Sequence, residues 1–249
     1  MKYLFTSELA KAVGVHPNTV RRYVDWGLIP AVERSPAGYR RFTQKHLDCL
    51  RLTRLIYEYD YPGKTIRRSG YRIIQCAVSD DWGGALEKAY RHMALVQSEQ
   101  AQANAAAALL ERWAGGNSAD ATSQPLQIGE VAGLLGLSND ILRNWERNGL
   151  LAVPRQPENG YRFYGPVEIS RLRVIRMLVR SGYSLTAILR MLTQLERGGN
   201  TDLRQALDVP NPDEDVYAAS DRWLSTLVSE VNRAQRVIEM IESVINSRQ

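Results

Sequence analysis

Short amphipathic stretches punctuated by glycine open the chain. Leu9, Ala10 and Val13 alternate with Glu8 and Lys11 at helical spacing, so residues 8–13 predict a short helix. Thr6 and Ser7 are its N-cap candidates, because hydroxyls accept from free amides of a first turn. Gly14 ends it, and Val15 anchors the turn. His16-Pro17-Asn18-Thr19 opens a second helix, proline being tolerated in the first turn. That helix runs through Val20-Arg21-Arg22-Tyr23-Val24-Asp25-Trp26 and stops at Gly27. Helix, glycine turn and helix with outward arginines is a helix-turn-helix plan. Leu28-Ile29-Pro30-Ala31-Val32 predicts a strand, Ser35-Pro36-Ala37-Gly38 a hairpin turn, and Tyr39-Arg40-Arg41-Phe42 the return strand. A third helix begins at Gln44, with Leu47, Leu50, Leu52 and Leu55 apolar. A fourth follows Tyr61-Pro62-Gly63.

The same pattern returns 122 residues later. Residues 5–68 lie over 127–190 without a gap, with 15 of 64 positions identical, against roughly one in 16 by chance. Identities include Glu8/Glu130, Gly14/Gly136, Arg21/Arg143, Gly27-Leu28/Gly149-Leu150 and Gly38-Tyr39-Arg40/Gly160-Tyr161-Arg162. Each repeat is followed by a long amphipathic pattern. Residues 85–113 carry the stripe Leu86, Tyr90, Met93, Val96, Ala103, Ala107 and Leu110; residues 216–247 carry Trp223, Leu227, Val231, Ala234, Ile238, Ile241 and Ile245. Both are near heptad spacing and read as coupling helices. Residues 114–125 are small and polar, a linker of root-mean-square reach near ~20 Å. The predicted organisation is therefore domain 1 at 1–72, coupling helices at 73–113, a linker at 114–125, domain 2 at 126–198 and coupling helices at 199–249. The fold class is mainly α: two winged helix-turn-helix domains, each followed by a long amphipathic, coiled-coil-like helix.

Charge follows the same division. Residues 1–72 hold 14 Lys+Arg against 6 Asp+Glu, and 126–198 hold 10 against 6. The segments between and after are acidic, 3 against 6 and 5 against 9. Basic domains alternating with acidic helices point to nucleic acid as the partner of the domains. Composition narrows the classes further. Apolar residues at 44% and charged residues at 24% suit a globular core rather than a disordered chain. No apolar run approaches the roughly 18 residues of a membrane span, and the first residues lack a signal-peptide stretch, so a cytoplasmic protein is expected. Two cysteines exclude a disulfide scaffold and a four-cysteine zinc site. There is no phosphate-binding glycine loop, nucleophile elbow or metal-spaced histidine pair, so neither an enzyme nor a cofactor is expected.

The candidate chemistry is DNA binding. On the second helix of repeat 1, Asn18, Thr19, Arg21, Arg22 and Tyr23 are placed to reach base edges or phosphates in a major groove. Arg34, Tyr39, Arg40 and Arg41 lie on the wing, suited to phosphates beside the groove. Repeat 2 supplies Asn139, Arg143, Asn144, Arg155, Tyr161 and Arg162. For the arginines the competing reading is a solvated basic face. Tyr23, Trp145, Phe42 and Tyr164 read better as packing aromatics than as base stackers. Cys49 reads as a buried structural thiol, and metal sensing through Cys76 is not expected. Trp82, Tyr90, Trp113, Tyr217 and Trp223 read as packing aromatics, with a pocket for a flat or cationic ligand as the alternative. Asp80-Asp81-Trp82 and Asp221-Arg222-Trp223 read as matching anchors at the helix starts.

Repeat 2 runs Ile128-Gly129-Glu130-Val131-Ala132, Gly136-Leu137-Ser138, Leu142-Arg143-Asn144-Trp145-Glu146, Gly149-Leu150-Leu151, Asn159-Gly160-Tyr161-Arg162-Phe163-Tyr164 and Gly182-Tyr183-Ser184-Leu185. This ordered series resembles the MerR family of bacterial transcription regulators, and residues 6–62 resemble it more loosely. The resemblance implies winged heads that bind and distort double-stranded promoter DNA for RNA polymerase, with the long helices serving to dimerise. The chain departs from the family pattern in carrying two heads, in Trp26 and Val24, and in Asp60-Tyr61-Pro62-Gly63. Repeat 2 has Asn144 and Phe163 where repeat 1 has Arg22 and Arg41, which implies weaker or different contacts. The helices at 85–113 and 216–247 pair either within one chain, as a pseudo-dimer, or between two chains, as a four-headed homodimer. The single-chain arrangement is preferred. No C-terminal ligand-binding domain of the family type is expected. A ligand-sequestering protein on the same scaffold and an architectural DNA-binding protein are the competing functions.

Overall fold

A computed structural model describes residues 3–58, 63–115, 125–157, 159–197, 202–210 and 219–248. The expectations on Asp60-Tyr61-Pro62, on residues 116–124 of the linker, on 216–218 and on Tyr217 lie outside the described residues. The fold is mainly α. The chain divides into two compact units: unit 1 is Met1–Ser98 with Leu227–Gln249, and unit 2 is Glu99–Thr226.

In unit 1, α1 (Thr6–Ala12) and α2 (Pro17–Asp25) form the helix-turn-helix. Gly14 and Gly27 both take φ +66°, where a side chain would be strained, and this is what breaks the chain at these two points. The cap of α1 differs from expectation. Phe5 is the cap position, and its amide donates to the Glu8 carboxylate at 2.6 Å, so Thr6 and Ser7 lie inside the first turn. At α2 the His16 ring accepts from the Asn18 amide at 3.2 Å. The first wing strand is also displaced. Pro30 has no N–H to give a ladder, and β1 is Glu33–Arg34, paired antiparallel with β2 (Arg40–Arg41) in the register Arg34 to Arg40. The turn closes where expected, Gly38 donating to the Ser35 carbonyl at 2.8 Å. A further antiparallel bridge, Leu4 to Phe42, ties the wing to the N-terminus.

α3 (Gln44–Ile56) and α4 (Lys64–Val78) complete the domain, and α5 (Trp82–Ala114) leaves it. The expected boundary at 72–73 thus falls within α4. The buried stripe of α5 differs from the expected one in its first half. Ala85, Ala89 and His92 are buried, whereas Leu86 and Met93 are half-buried and Tyr90 is exposed. Small residues let this helix lie close to its neighbours, and the larger apolar ones flank the contact. From Val96 through Ala103, Ala107 and Leu110 the buried positions are the expected ones. The core of unit 1 also takes Val237, Ile238, Ile241 and Val244 from the last helix. The Cys49 thiol is buried, donates to the Ala77 carbonyl at 3.4 Å, and is pushed up to about 12 by burial. Native protein at pH 8 should therefore leave Cys49 unreacted with iodoacetamide until urea unfolds unit 1. Rapid native labelling at Cys49, read by peptide mass, would contradict this.

Unit 2 repeats the plan with α6 (Ile128–Leu135), α7 (Asn139–Arg147), α8 (Pro166–Arg180) and α9 (Leu185–Arg197). It adds α10 (Leu203–Asp208), a 3₁₀ turn at Ala219–Arg222, and the start of α11 (Trp223–Asn246). The second coupling helix so begins at Trp223 rather than 216. Glu99–Ala114 of α5 belongs here: the Tyr183 hydroxyl donates to the Ala103 carbonyl at 3.1 Å, and Trp113 donates to Ser170 at 2.8 Å. Trp82 and Trp223, the first residues of α5 and α11, are both buried anchors. Trp82 donates to Asp80 at 3.1 Å, and Trp223 donates to the Ser181 carbonyl at 2.7 Å. The second seat depends on Gly182, at φ +96°, because a Cβ there would stand 2.4 Å from the Trp223 ring nitrogen.

Candidate nucleic-acid interface

Head 1 presents its basic groups on the solvent side of α2 and on the wing. Asn18, Arg21 and Arg22 are exposed and Thr19 is half-exposed. Val20 and Tyr23 turn inward from the same helix. Arg21 donates to Asn18 Oδ1 at 2.9 Å, which steadies its guanidinium along the helix. Arg22 stacks on Trp26, 4.6 Å from the ring centre. Tyr23 is 9% exposed and belongs to the core, so it is not a free surface group for bases. Its ring lies 6.2 Å from that of Trp26. On the wing, Arg34 donates to the Gly38 carbonyl at 3.1 Å, which stiffens the hairpin. Arg41 covers Tyr3 at 5.0 Å, Arg40 is half-exposed, and Tyr39 is exposed at the tip.

Head 2 uses the same positions differently. Asn139 and Asn144 are half-exposed on α7, and Arg143 is exposed and paired with Asp140 at 3.2 Å. Tyr161 stands exposed at the wing tip, like Tyr39. The wing arginines, however, are engaged by one carboxylate. Arg162 donates to Glu146 Oε2 at 2.7 Å, and Arg155 lies 3.8 Å from Glu146 Oε1. This hydrogen bond holds the Arg162 guanidinium above its ordinary value. The corresponding residue of repeat 1 is Val24, which offers no counter-charge. Glu146 stands in the family-like series of repeat 2 but is not among the contact candidates the sequence offers; an acid facing a wing arginine is a pairing between distant segments, and only the repeat alignment hints at it. Head 2 also has a wing turn one residue longer, since Arg155 bridges Arg162 where Arg34 pairs Arg40. A compensating shortening before Arg155 hides this in the gapless alignment. Phe42 and Tyr164 are both fully buried, in line with packing roles.

Two segments match family models: residues 126–195 match that of the MerR HTH family regulatory protein, and residues 6–42 that of the MerR family regulatory protein. The chain carries two tandem MerR-family domains. Curated relatives include a mercuric resistance operon regulatory protein of Bacillus cereus, 34% identical over 28% of this chain and 54% of that protein. A probable heavy metal-dependent transcriptional regulator of Haemophilus influenzae is 26% identical over 47% of this chain and 83% of its own length. The HTH-type transcriptional regulator CueR of Escherichia coli O157:H7 is 27% identical over 43% and 77%. The match thus spans about half the length of the Bacillus relative, and each of these three is a regulator by name. No solved structure matches the chain significantly. Among the described residues, no group of three or more His, Cys, Asp or Glu side chains is placed to hold a metal ion. No described helix of the MerR-type chain is long and apolar enough to cross a membrane.

Proposed function

We propose that this chain is a sequence-specific DNA-binding transcription regulator with two unequal reading heads. The observation that carries it is the pairing, in head 1, of an exposed Arg21 and Arg22 on the second helix with an arginine-bearing wing beside it. Arg21 and Arg22 serve as base or phosphate contacts in the major groove, and Arg34, Arg40 and Arg41 grip the backbone. Head 2 reads through Asn139, Arg143 and Asn144, with its wing arginines partly neutralised by Glu146. The heads act as a pseudo-dimer within one cytoplasmic chain. In support, unit 1 is built from head 1 together with Leu227–Gln249, and unit 2 contains Glu99–Ala114. Its target is an asymmetric promoter element, which it distorts so that RNA polymerase can use it.

Light scattering and anisotropy on a labelled duplex from upstream of its own gene test this together. A single chain of 28.1 kDa should bind one duplex. Arg21→Ala should cost roughly 1–3 kcal/mol on the preferred site and relax specificity at one position. Arg40→Ala should weaken binding to every sequence alike. A dimer bound to a two-fold symmetric site would overturn the pseudo-dimer, and equal losses for Arg21→Ala on all DNA would overturn its assignment as a base reader.

A further inference from the structure

Unit 1 holds a cavity of about 650 Å³, inside the ~300–1,000 Å³ span of small-molecule sites. Its walls are aromatic: Tyr23 from α2, Trp26 just after it, Tyr57 at the end of α3 and Tyr71 on α4. Its rim is basic. Lys64 and Arg68 are exposed, and Arg67 stacks on Tyr57 at 5.1 Å. The acid in the lining, Glu230, is buried and pairs with Arg233 at 2.6 Å, so the positive excess of the rim is not offset by it.

One wall of the cavity is a buried histidine. His92 of α5 lines it at 5% exposure, and its Nδ1 has no hydrogen-bond partner. A buried polar atom without a partner costs roughly 1–3 kcal/mol. Desolvation, and then the charge of Arg233, push this histidine down to about 4, so the ring is neutral at ordinary pH. The Nδ1 atom itself is sealed from solvent, so the neutral ring serves as a wall of the cavity whose environment changes when the cavity fills.

The other repeat shows what filling this place looks like. Arg68 corresponds to Arg190 at the 122-residue offset. Arg190 is buried and donates to the carbonyls of Ala206 at 2.6 Å, Leu207 at 3.1 Å and Asp221 at 3.0 Å. In unit 2 the chain itself, as α10 and the turn before α11, covers that face of α9. In unit 1 only Ser79, Asp80 and Asp81 separate α4 from α5, so no counterpart of α10 exists and Arg68 lines a cavity.

We propose that this cavity binds a small aromatic anion, its ring among Tyr23, Trp26, Tyr57 and Tyr71 and beside the His92 ring, and its acid group at Lys64 and Arg68. Because Tyr23 lies on α2 and Trp26 caps its C-terminus, occupancy reaches the helix assigned to DNA reading. That regulatory consequence rests on the function proposed above; the binding itself does not.

The test is a calorimetric titration of the DNA-free full chain with 1-naphthoate, with 1-naphthylmethylammonium as the charge-reversed control. Saturable one-to-one binding of the anion is expected, with the cation at least tenfold weaker. The Lys64→Gln/Arg68→Gln double variant changes two exposed residues, so folding is retained, and it should lose about tenfold in naphthoate affinity. Histidine NMR should show the His92 ring signals moving at saturation. Absence of binding at millimolar naphthoate, equal affinity for the two probes, an unaffected double variant, or static His92 signals would each overturn the site. Naphthoate that binds and leaves DNA affinity unchanged overturns the coupling alone. Naphthoate binding in a chain that fails to bind DNA sinks the regulator reading and supports the pocket.

Discussion

Replacing Ile241 by alanine is expected to destabilise unit 1, the unit of head 1, although Ile241 lies on the helix that follows head 2. Ile241 is fully buried in the core of unit 1, with Val237, Ile238 and Val244 around it on the helix. Truncating a fully buried isoleucine removes its transfer free energy and leaves a cavity, together about 2–5 kcal/mol. That is a large part of the stability of an ordinary domain. The reciprocal variant is Leu110→Ala. Leu110 is fully buried and lies on the helix that follows head 1, yet it belongs to unit 2. Hydrogen exchange separates the two effects. Ile241→Ala should lower protection of α3 and α4 while α8 and α9 hold, and Leu110→Ala should do the reverse. Loss confined in each case to the unit of the preceding head would refute the exchange of helices.

This exchange was not legible in the sequence, for a physical reason. An amphipathic stripe states that a helix will be covered and does not name what covers it. Where a helix meets its neighbours through its own small side chains, the apolar stripe points to the wrong residues: Leu86, Tyr90 and Met93 are the conspicuous apolar positions, but close approach selects Ala85 and Ala89. By contrast, the helix-turn-helix of both heads was readable, because glycine at positive φ is a local requirement that Gly14, Gly27, Gly136 and Gly149 meet. The wing turn was readable for the same reason through Gly38 and Gly160. The first wing strand was not, since a two-residue ladder gives strand propensity little weight and Pro30 excludes the stretch that looked most like a strand. At the candidate interface, residue types and periodicity picked out the exposed arginines of α2 and also Tyr23, which helical phase turns inward. The cavity at His92 is assembled from α2, α3, α4, α5 and α11, and no stretch of sequence signals it.

The second large effect concerns Glu146 and salt. Each phosphate neutralised by a cation steepens the fall of affinity with salt by about 0.9 in the log–log slope. With Arg21 on a base, head 1 brings Arg22, Arg34, Arg40 and Arg41 to phosphates, and head 2 brings Arg143 on its helix. About five contacts predict a loss of roughly 500-fold between about 50 and 200 mM salt. Arg155 and Arg162 are withheld from that count by the Glu146 carboxylate, which is half-buried and serves both. Glu146→Gln keeps the shape and removes the charge. The variant should bind DNA about tenfold more tightly near ~0.1 M salt and show a slope steeper by about one to two, as one or both arginines turn to phosphate. The gain should fade as salt rises, because it is electrostatic. If affinity and slope both stay at the wild-type values, the head 2 wing does not meet the backbone, and the asymmetry of the site comes from head 1 gripping alone. If the variant binds more weakly, Glu146 orients Arg162 toward the DNA instead of withholding it, and the two heads grip by different means with comparable strength.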